Sequence, residues 1–239
     1  MRSPNEIFQD LESDRQQREG ELRLIENIAA RAAIEAERNM LFRSLVLLTY
    51  AHLEGFCKFA LLAYAGAINS IGLRCGEASS ALVAASLRKV FSALRDTNSK
   101  HPEFRNALPD DAELNLSWRE RTFVEAYERI VAQHIEIPDR VVDTKANLNS
   151  VVLKRNLYQL GLNYPEVDRH RASIDMLLGV RNAIAHGDAL RVPSESQVRE
   201  YTSAAFDVMR FVQNEVFEAL RSEAYRRASS GCEDAAAAP

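Results

Sequence analysis

Apolar positions recur at helical spacing along most of the chain and mark out its elements. In residues 4–38 a narrow seam runs through a polar surface: Ile7, Leu11, Leu22, Ile25, Ala29, Ala32 and Ala36. That pattern predicts one long helix lying along a bundle or against a partner, with Gly20 weakening its middle. Residues 40–70 are apolar nearly all round, which predicts a helix buried at the bundle centre. Leu82, Leu87, Val90, Phe91 and Leu94 predict a third helix over 79–95. Residues 96–115, with Pro102, Pro109 and the pair Asp110-Asp111, read as a lid or a surface insertion. The two aspartates there suit a turn better than a metal site. Ser117 with Glu120 forms a capping-box pattern that opens a helix to His134, with Trp118, Phe123, Tyr127 and Ile130 on its apolar side. Asn149 or Ser150 caps a short helix that Gly161 ends, and a further helix begins near Asp168, after Pro165. Ser194 with Gln197 caps a last helix reaching about Arg227, with Val198, Tyr201, Ala205, Val208, Val212, Val216 and Leu220 at helical spacing. No stretch requires a sheet. The expected organisation is a helical extension over 1–39, a helical domain over 40–228 and a disordered tail over 229–239.

Composition agrees with an all-α chain. Among 239 residues, 46% are hydrophobic and only 9 are Gly and 7 Pro, so long helices with few turns are favoured. The run from Leu45 to Ile68 is long enough to span a bilayer, but it carries His52, Glu54 and Lys58. The Glu54–Lys58 pair at i, i+4 suits a soluble helix better, so no membrane partner is expected. The three cysteines, Cys57, Cys75 and Cys232, are odd in number and lack metal spacing. They suit a reducing cytoplasm, and no signal peptide opens the chain.

A net charge of −4 excludes a nucleic-acid binder of the histone type. The charge is uneven, however. Residues 1–40 hold nine acids against six arginines, whereas residues 140–171 hold six bases (Arg140, Lys145, Lys154, Arg155, Arg169, Arg171) against three acids. This second segment is either a solvated charged face or a surface for RNA phosphate.

It leads into the stretch Arg181-Asn182-Ala183-Ile184-Ala185-His186-Gly187. A permanent cation, an amide and an imidazole fall within six residues there. RNA is cut without metal when its 2′-hydroxyl attacks the adjacent phosphate. The attack needs a group that moves protons near neutral pH, which His186 supplies. It also needs a cation that holds the growing phosphate charge, which Arg181 supplies through its planar fork. Residues five apart on a helix diverge by about 140°, so the two side chains separate unless the helix loosens before His186. Gly187 suits the residue just past a helix end. Asn182 can donate to a phosphate, Asp175 can orient Arg181 or an imidazole, and Glu54 needs a partner such as Lys58 or Arg181. The same heptapeptide also describes an ordinary helix end, where Arg and His favour the dipole and Gly stops the helix. No Gly-rich phosphate loop or Cys/His cluster is present, so neither a cofactor nor a metal is expected.

The Arg-Asn-x-x-x-His spacing resembles the R-x4-6-H signature of the HEPN superfamily. Two further stretches strengthen the likeness: Ala51-His52-x-Glu54-Gly55-Phe56-x-Lys58, and Asp143-Thr144-x-x-Asn147-Leu148-x-Ser150-x-Val152-Leu153 followed by Leu160-Gly161-Leu162. With residues 177–187, in that order, they resemble the MAE-type branch of HEPN-like nucleases across most of residues 1–225. The resemblance implies an antiparallel helical bundle, a homodimer that brings two R-x4-H motifs face to face, and metal-independent RNA cleavage. It assigns Arg181 and His186 as catalytic with Asn182, and Glu54 and Asp175 as supporting. It also implies a toxin or phage-defence role with a cognate antitoxin or regulator. The other reading is a catalytically silent helical module that binds a nucleotide or only holds a dimer.

Overall fold

The computed structural model describes residues 2–144, 147–188 and 191–228. Among them lie nine α-helices, three short 3-10 turns and two isolated bridges, with no strand. The protein is thus all-α, as its apolar spacing predicts. Helix α1 (Pro4–Arg31) opens on a capping box in which the Ser3 hydroxyl accepts from the Glu6 amide and the Glu6 carboxylate accepts from the Ser3 amide. Helix α2 (Glu35–Ile71) is the central element, packed against α1, α8 (Arg171–Ala185) and α9 (Glu195–Arg221). By length and composition α2 could cross a membrane, yet its core-facing residues, from Phe42 to Ile68, are buried against these three helices.

The partners fix the directions. A ring contact joins Phe8 to Phe217, a hydrogen bond Arg15 to Gln213, and an ion pair Glu26 to Arg199, so α1 and α9 run oppositely. A three-residue turn likewise sets α1 against α2, and Arg181 of α8 meets Tyr50 of α2 while Arg43 meets Asp188 and Arg191. The result is an antiparallel bundle of α1, α2, α8 and α9, with Leu11, Leu22, Leu45, Leu53, Phe56, Met209 and Val212 in one core. Helix α1 contributes Ile7, Leu11, Leu22 and Ala29 to that core.

Several boundaries differ from the sequence reading. The helix expected over 4–38 ends at Arg31, because α2 folds back to bury its apolar surface on α1, and no Gly or Pro marks the turn at 32–34. The expected 79–95 helix is two, α3 (Ser80–Ser86) and α4 (Arg88–Arg95), broken at buried Leu87 so that α3 packs on α7 (Ser150–Gln159) while α4 packs on α5 (Ala112–Glu125). Ser117 caps nothing. The α5 cap is Asp111, whose carboxylate accepts from the Leu114 amide at 2.9 Å, and α5 gives way at Ala126 to α6 (Tyr127–Ala132). Helix α9 stops at Arg221, short of Arg227. Glu223 takes a positive φ of 55°, which turns the chain so that Tyr225 is buried and Arg227 donates to the Glu77 carbonyl. The expected tail over 229–239 lies outside the described residues.

The seam of α1 also hides a polar centre. Between Leu11 and Leu22, Arg15 and Glu19 point inward. Arg15 binds Glu12 at 2.7 and 2.8 Å, bonds Glu19, and donates to Gln213 of α9 at 2.9 Å. The Arg15 guanidinium holds the Glu12 carboxyl down at about 2, aided by hydrogen bonds from Gln213 and Gln16.

Candidate functional site

Helix α8 buries Ile174, Leu177, Val180 and Ile184 on one stripe, which leaves Arg181 and Asn182 half-buried at its edge. The helix stays regular up to Ala185, and exposed His186 is its C-cap. Gly187 takes φ 88°, its amide bonds the Ile184 carbonyl, and the Asp188 amide bonds the Ala183 carbonyl. That is the Schellman arrangement, in which a residue with a left-handed backbone lets the last carbonyls find donors. Arg43 of α2 fastens the segment beyond it by donating to the Asp188 and Arg191 carbonyls at 2.5 and 3.0 Å.

Arg181 is braced from behind by neutral groups. Its guanidinium lies 4.7 Å over the Tyr50 ring of α2, and it donates to the amide oxygens of Asn182 at 2.8 Å and Asn147 at 3.4 Å. No carboxylate oxygen of the described residues lies within 4.0 Å of it. Tyr50 is buried, and its hydroxyl donates to the Leu148 carbonyl at 3.3 Å. Burial, with the nearby Glu54 carboxylate second, pushes the Tyr50 hydroxyl up to about 12. It therefore stays protonated and keeps donating at any neutral pH. Arg43, Tyr50 and Glu54 share one face of α2, seven and four residues apart.

The described residues of the Asp143-to-Ser150 stretch place Asn147 beside Arg181 and fix the start of α7. The buried Asn156 side chain donates to the Asp143 carbonyl at 3.3 Å. Thr144 and Leu148 are buried, and Asn147 accepts from Arg181. Asn149 caps α7 through the Val152 amide at 2.8 Å. Ser150 donates its amide and hydroxyl to Asp175 at 2.9 and 2.8 Å. Asp175 thus clamps the start of α7 onto α8, with Arg171 3.9 Å away, and among the described residues no hydrogen bond joins it to Arg181 or to a histidine.

The three stretches that carry the resemblance meet at one place, through Tyr50 with Glu54, Asn147 with Leu148, and Arg181 with Asn182. Not all their residues join. Glu54 lies beside Tyr50, and ion pairs within 4.0 Å to Lys58 or Arg181 are not formed. His52 faces α1, with Nε2 3.1 Å from Glu21 and Nδ1 3.4 Å from an Arg18 nitrogen. Burial first, then the Arg18 charge, lowers its affinity for a proton. Gly55 makes room for that arginine, since a Cβ there would lie 2.9 Å from Arg18 Nη1. Cys57 is buried, and burial pushes its thiol up to about 12, so it is no nucleophile. Among the described residues no hydrogen bond joins the His186 side chain to Arg181, and on a helix regular to Ala185 residues five apart diverge by about 140°. Among the described residues no three His, Cys, Asp or Glu side chains gather as a metal site.

Sequence reasoning did not find the roles of Arg43 and Tyr50, although their spacing with Glu54 along α2 was visible. Asn147 was visible only as a motif letter.

No curated protein and no solved structure matches the chain. The family model that does match carries a different description from the MAE-type branch. Over residues 13–218 the chain matches the model of the RiboL-PSP-HEPN family, and it belongs to that family within the HEPN superfamily.

Proposed function

We propose that the protein is a metal-independent endoribonuclease that cuts RNA by attack of a 2′-hydroxyl on the adjacent phosphate. The observation that carries this reading is the state of Arg181. A half-buried guanidinium is held by two amide oxygens and an aromatic face with no carboxylate within 4.0 Å among the described residues, and a partly buried charge favours an anionic partner. Phosphate matches its fork. His186 is solvent-exposed five residues on, where it can take the 2′-proton or give one to the leaving 5′-oxygen. In the step, the 2′-oxygen bonds to phosphorus and the bond from phosphorus to the 5′-oxygen breaks. The products are a 2′,3′-cyclic phosphate and a 5′-hydroxyl. Arg181, with Asn182, stabilises the charge that builds on the phosphate oxygens.

Because Arg181 and His186 diverge within one chain, the working site forms across a two-fold axis between two copies, each supplying a motif. Such an enzyme acts in the cytoplasm as a growth-restraining toxin or phage-defence effector, kept silent by a cognate antitoxin or regulator. The test is growth on induced expression, paired with cleavage of total RNA by purified protein. Wild type arrests growth and cuts RNA. His186→Ala does neither while remaining folded, and Arg181→Lys recovers little because it lacks the fork. Binding of RNA or nucleotide with no cutting would mean a silent binding module instead.

A further inference from the structure

The segment that looks basic in the sequence is largely neutralised in the fold. Lys154 pairs with Asp168 at 2.6 Å, Arg155 with Asp143 at 3.8 Å, Arg169 with Glu166 at 2.6 Å and Arg171 with Asp175 at 3.9 Å. Lys145 lies outside the described residues. Of the six bases, Arg140 alone among the described residues has no carboxylate within 4.0 Å. It has company from another element. Helix α4 packs Val90 and Phe91 against the core and presents Lys89, Ser92 and Arg95 on its outer face, three residues apart. Lys89 and Arg95 likewise have no carboxylate within 4.0 Å among the described residues. Lys89, Arg95 and Arg140 line one open recess of about 610 Å³, with Ser92 between them and Asp96 as its one acidic wall.

The recess is held in shape. Arg95 Nε donates to the Phe91 carbonyl at 3.0 Å, which orients the guanidinium and leaves its other nitrogens outward. Arg140 sits on a 3-10 turn, Asp139–Val141, anchored by buried Val141 and by Asn69 of α2, which exchanges two hydrogen bonds with Ile137 at 2.8 and 3.0 Å. Three cations against one carboxylate, from two fixed elements with a hydroxyl between them, make a site for a phosphate group. Arg140 is also seven residues from Asn147, the acceptor for Arg181. A seven-residue chain reaches at most about 25 Å, so one nucleic-acid strand can touch both places.

We propose that the recess of Lys89, Arg95 and Arg140 is a second anchor for the RNA strand cut at Arg181, gripping its phosphate backbone away from the scissile bond. This rests on the RNA-cleavage reading above. It is tested by binding rather than turnover. Fluorescence anisotropy would follow 2′-O-methyl single-stranded RNA, which has no free 2′-hydroxyl to attack, as a 20-mer and a 4-mer over a salt series. For the triple variant Lys89→Gln, Arg95→Gln, Arg140→Gln, 20-mer affinity should fall at least about tenfold at low salt. The slope of log affinity on log salt should flatten by about 2, since each single-strand phosphate contact contributes about 0.7. The 4-mer should bind the triple variant and wild type alike. Asp96→Asn, which removes the acidic wall, should tighten the 20-mer, a gain that misfolding cannot produce. A triple variant with unchanged affinity and slope would overturn the second anchor even if His186→Ala abolishes cleavage. A flattened slope without His186-dependent cleavage would instead overturn the nuclease reading and leave a phosphate-binding recess.

Discussion

Tyr50 is the part of the site most open to a graded perturbation. Tyr50→Phe keeps the ring under Arg181 and removes only the hydroxyl that donates to the Leu148 carbonyl at 3.3 Å. One such bond contributes about 1 kcal/mol, and each kcal/mol moves the melting temperature of a domain this size by about 2–4 °C. Tyr50→Leu also removes the aromatic face beneath the guanidinium, worth about 0.5–2 kcal/mol, and leaves unfilled space at a fully buried position. A total loss of about 2–4 kcal/mol follows. Melting of both variants gives the stability terms, and single-turnover RNA cleavage reads the placement of Arg181. Tyr50→Phe should cut within a few-fold of wild type. Tyr50→Leu should lose about fivefold or more, since about 1 kcal/mol of lost positioning corresponds to that factor. The hydroxyl also predicts a pH window. Its folded value is raised to about 12 from an ordinary 10, so its contribution is complete below pH 10 and lost as pH rises toward 12. Wild type should therefore lose stability faster than Tyr50→Phe over that interval. Equal melting of wild type and Tyr50→Leu, or cleavage indifferent to the ring, would refute the platform role.

Glu12→Gln should destabilise at neutral pH and lose its effect in acid: the Glu12 carboxyl is held at about 2 against an ordinary 4.5, so its stabilisation exists above pH 4.5 and vanishes as pH falls to 2, checked by denaturant melts along that range. Asp175→Ala should cost about 1–2 kcal/mol by freeing the Ser150 amide and hydroxyl, read by thermal melting, with faster amide exchange at the start of α7. Gly55→Ala should cost under about 1 kcal/mol because the group it meets, Arg18 Nη1 at 2.9 Å, is the far end of a flexible side chain that can swing aside, at the expense of its contact with His52.

The features legible in the sequence were those with a local chemical cause. Ser194 with Gln197, Asn149, Gly161 and Gly187 mark helix ends through caps and left-handed turns, and each occupies its expected place. The Arg181-to-His186 spacing likewise needed only a helix to fix its divergence. What escaped has causes far away in the chain. The turn at 32–34 sits in an Ala-rich stretch of high helix propensity and exists because α2 must pack back on α1. Arg15 and Glu19 look like surface charges until Gln213, 198 residues from Arg15, closes around them. The bases of 140–171 look like unpaired cations until Asp168, Glu166 and Asp175 come beside them. Arg181 finds Tyr50 and Asn147 only after α2, α7 and α8 assemble.

The chemistry at Arg181 and His186 is tested most directly by the ends of the cut RNA. Wild-type protein is incubated with a defined RNA in excess chelator, beside the same strand carrying 2′-deoxy sugars and beside His186→Ala. The account predicts cleavage in chelator, fragments ending in a 2′,3′-cyclic phosphate and a 5′-hydroxyl, an intact deoxy strand, and a loss of about 10²–10⁴-fold for His186→Ala. Cleavage of the deoxy strand, fragments with a 5′-phosphate, or a His186→Ala variant that cuts like wild type would contradict it.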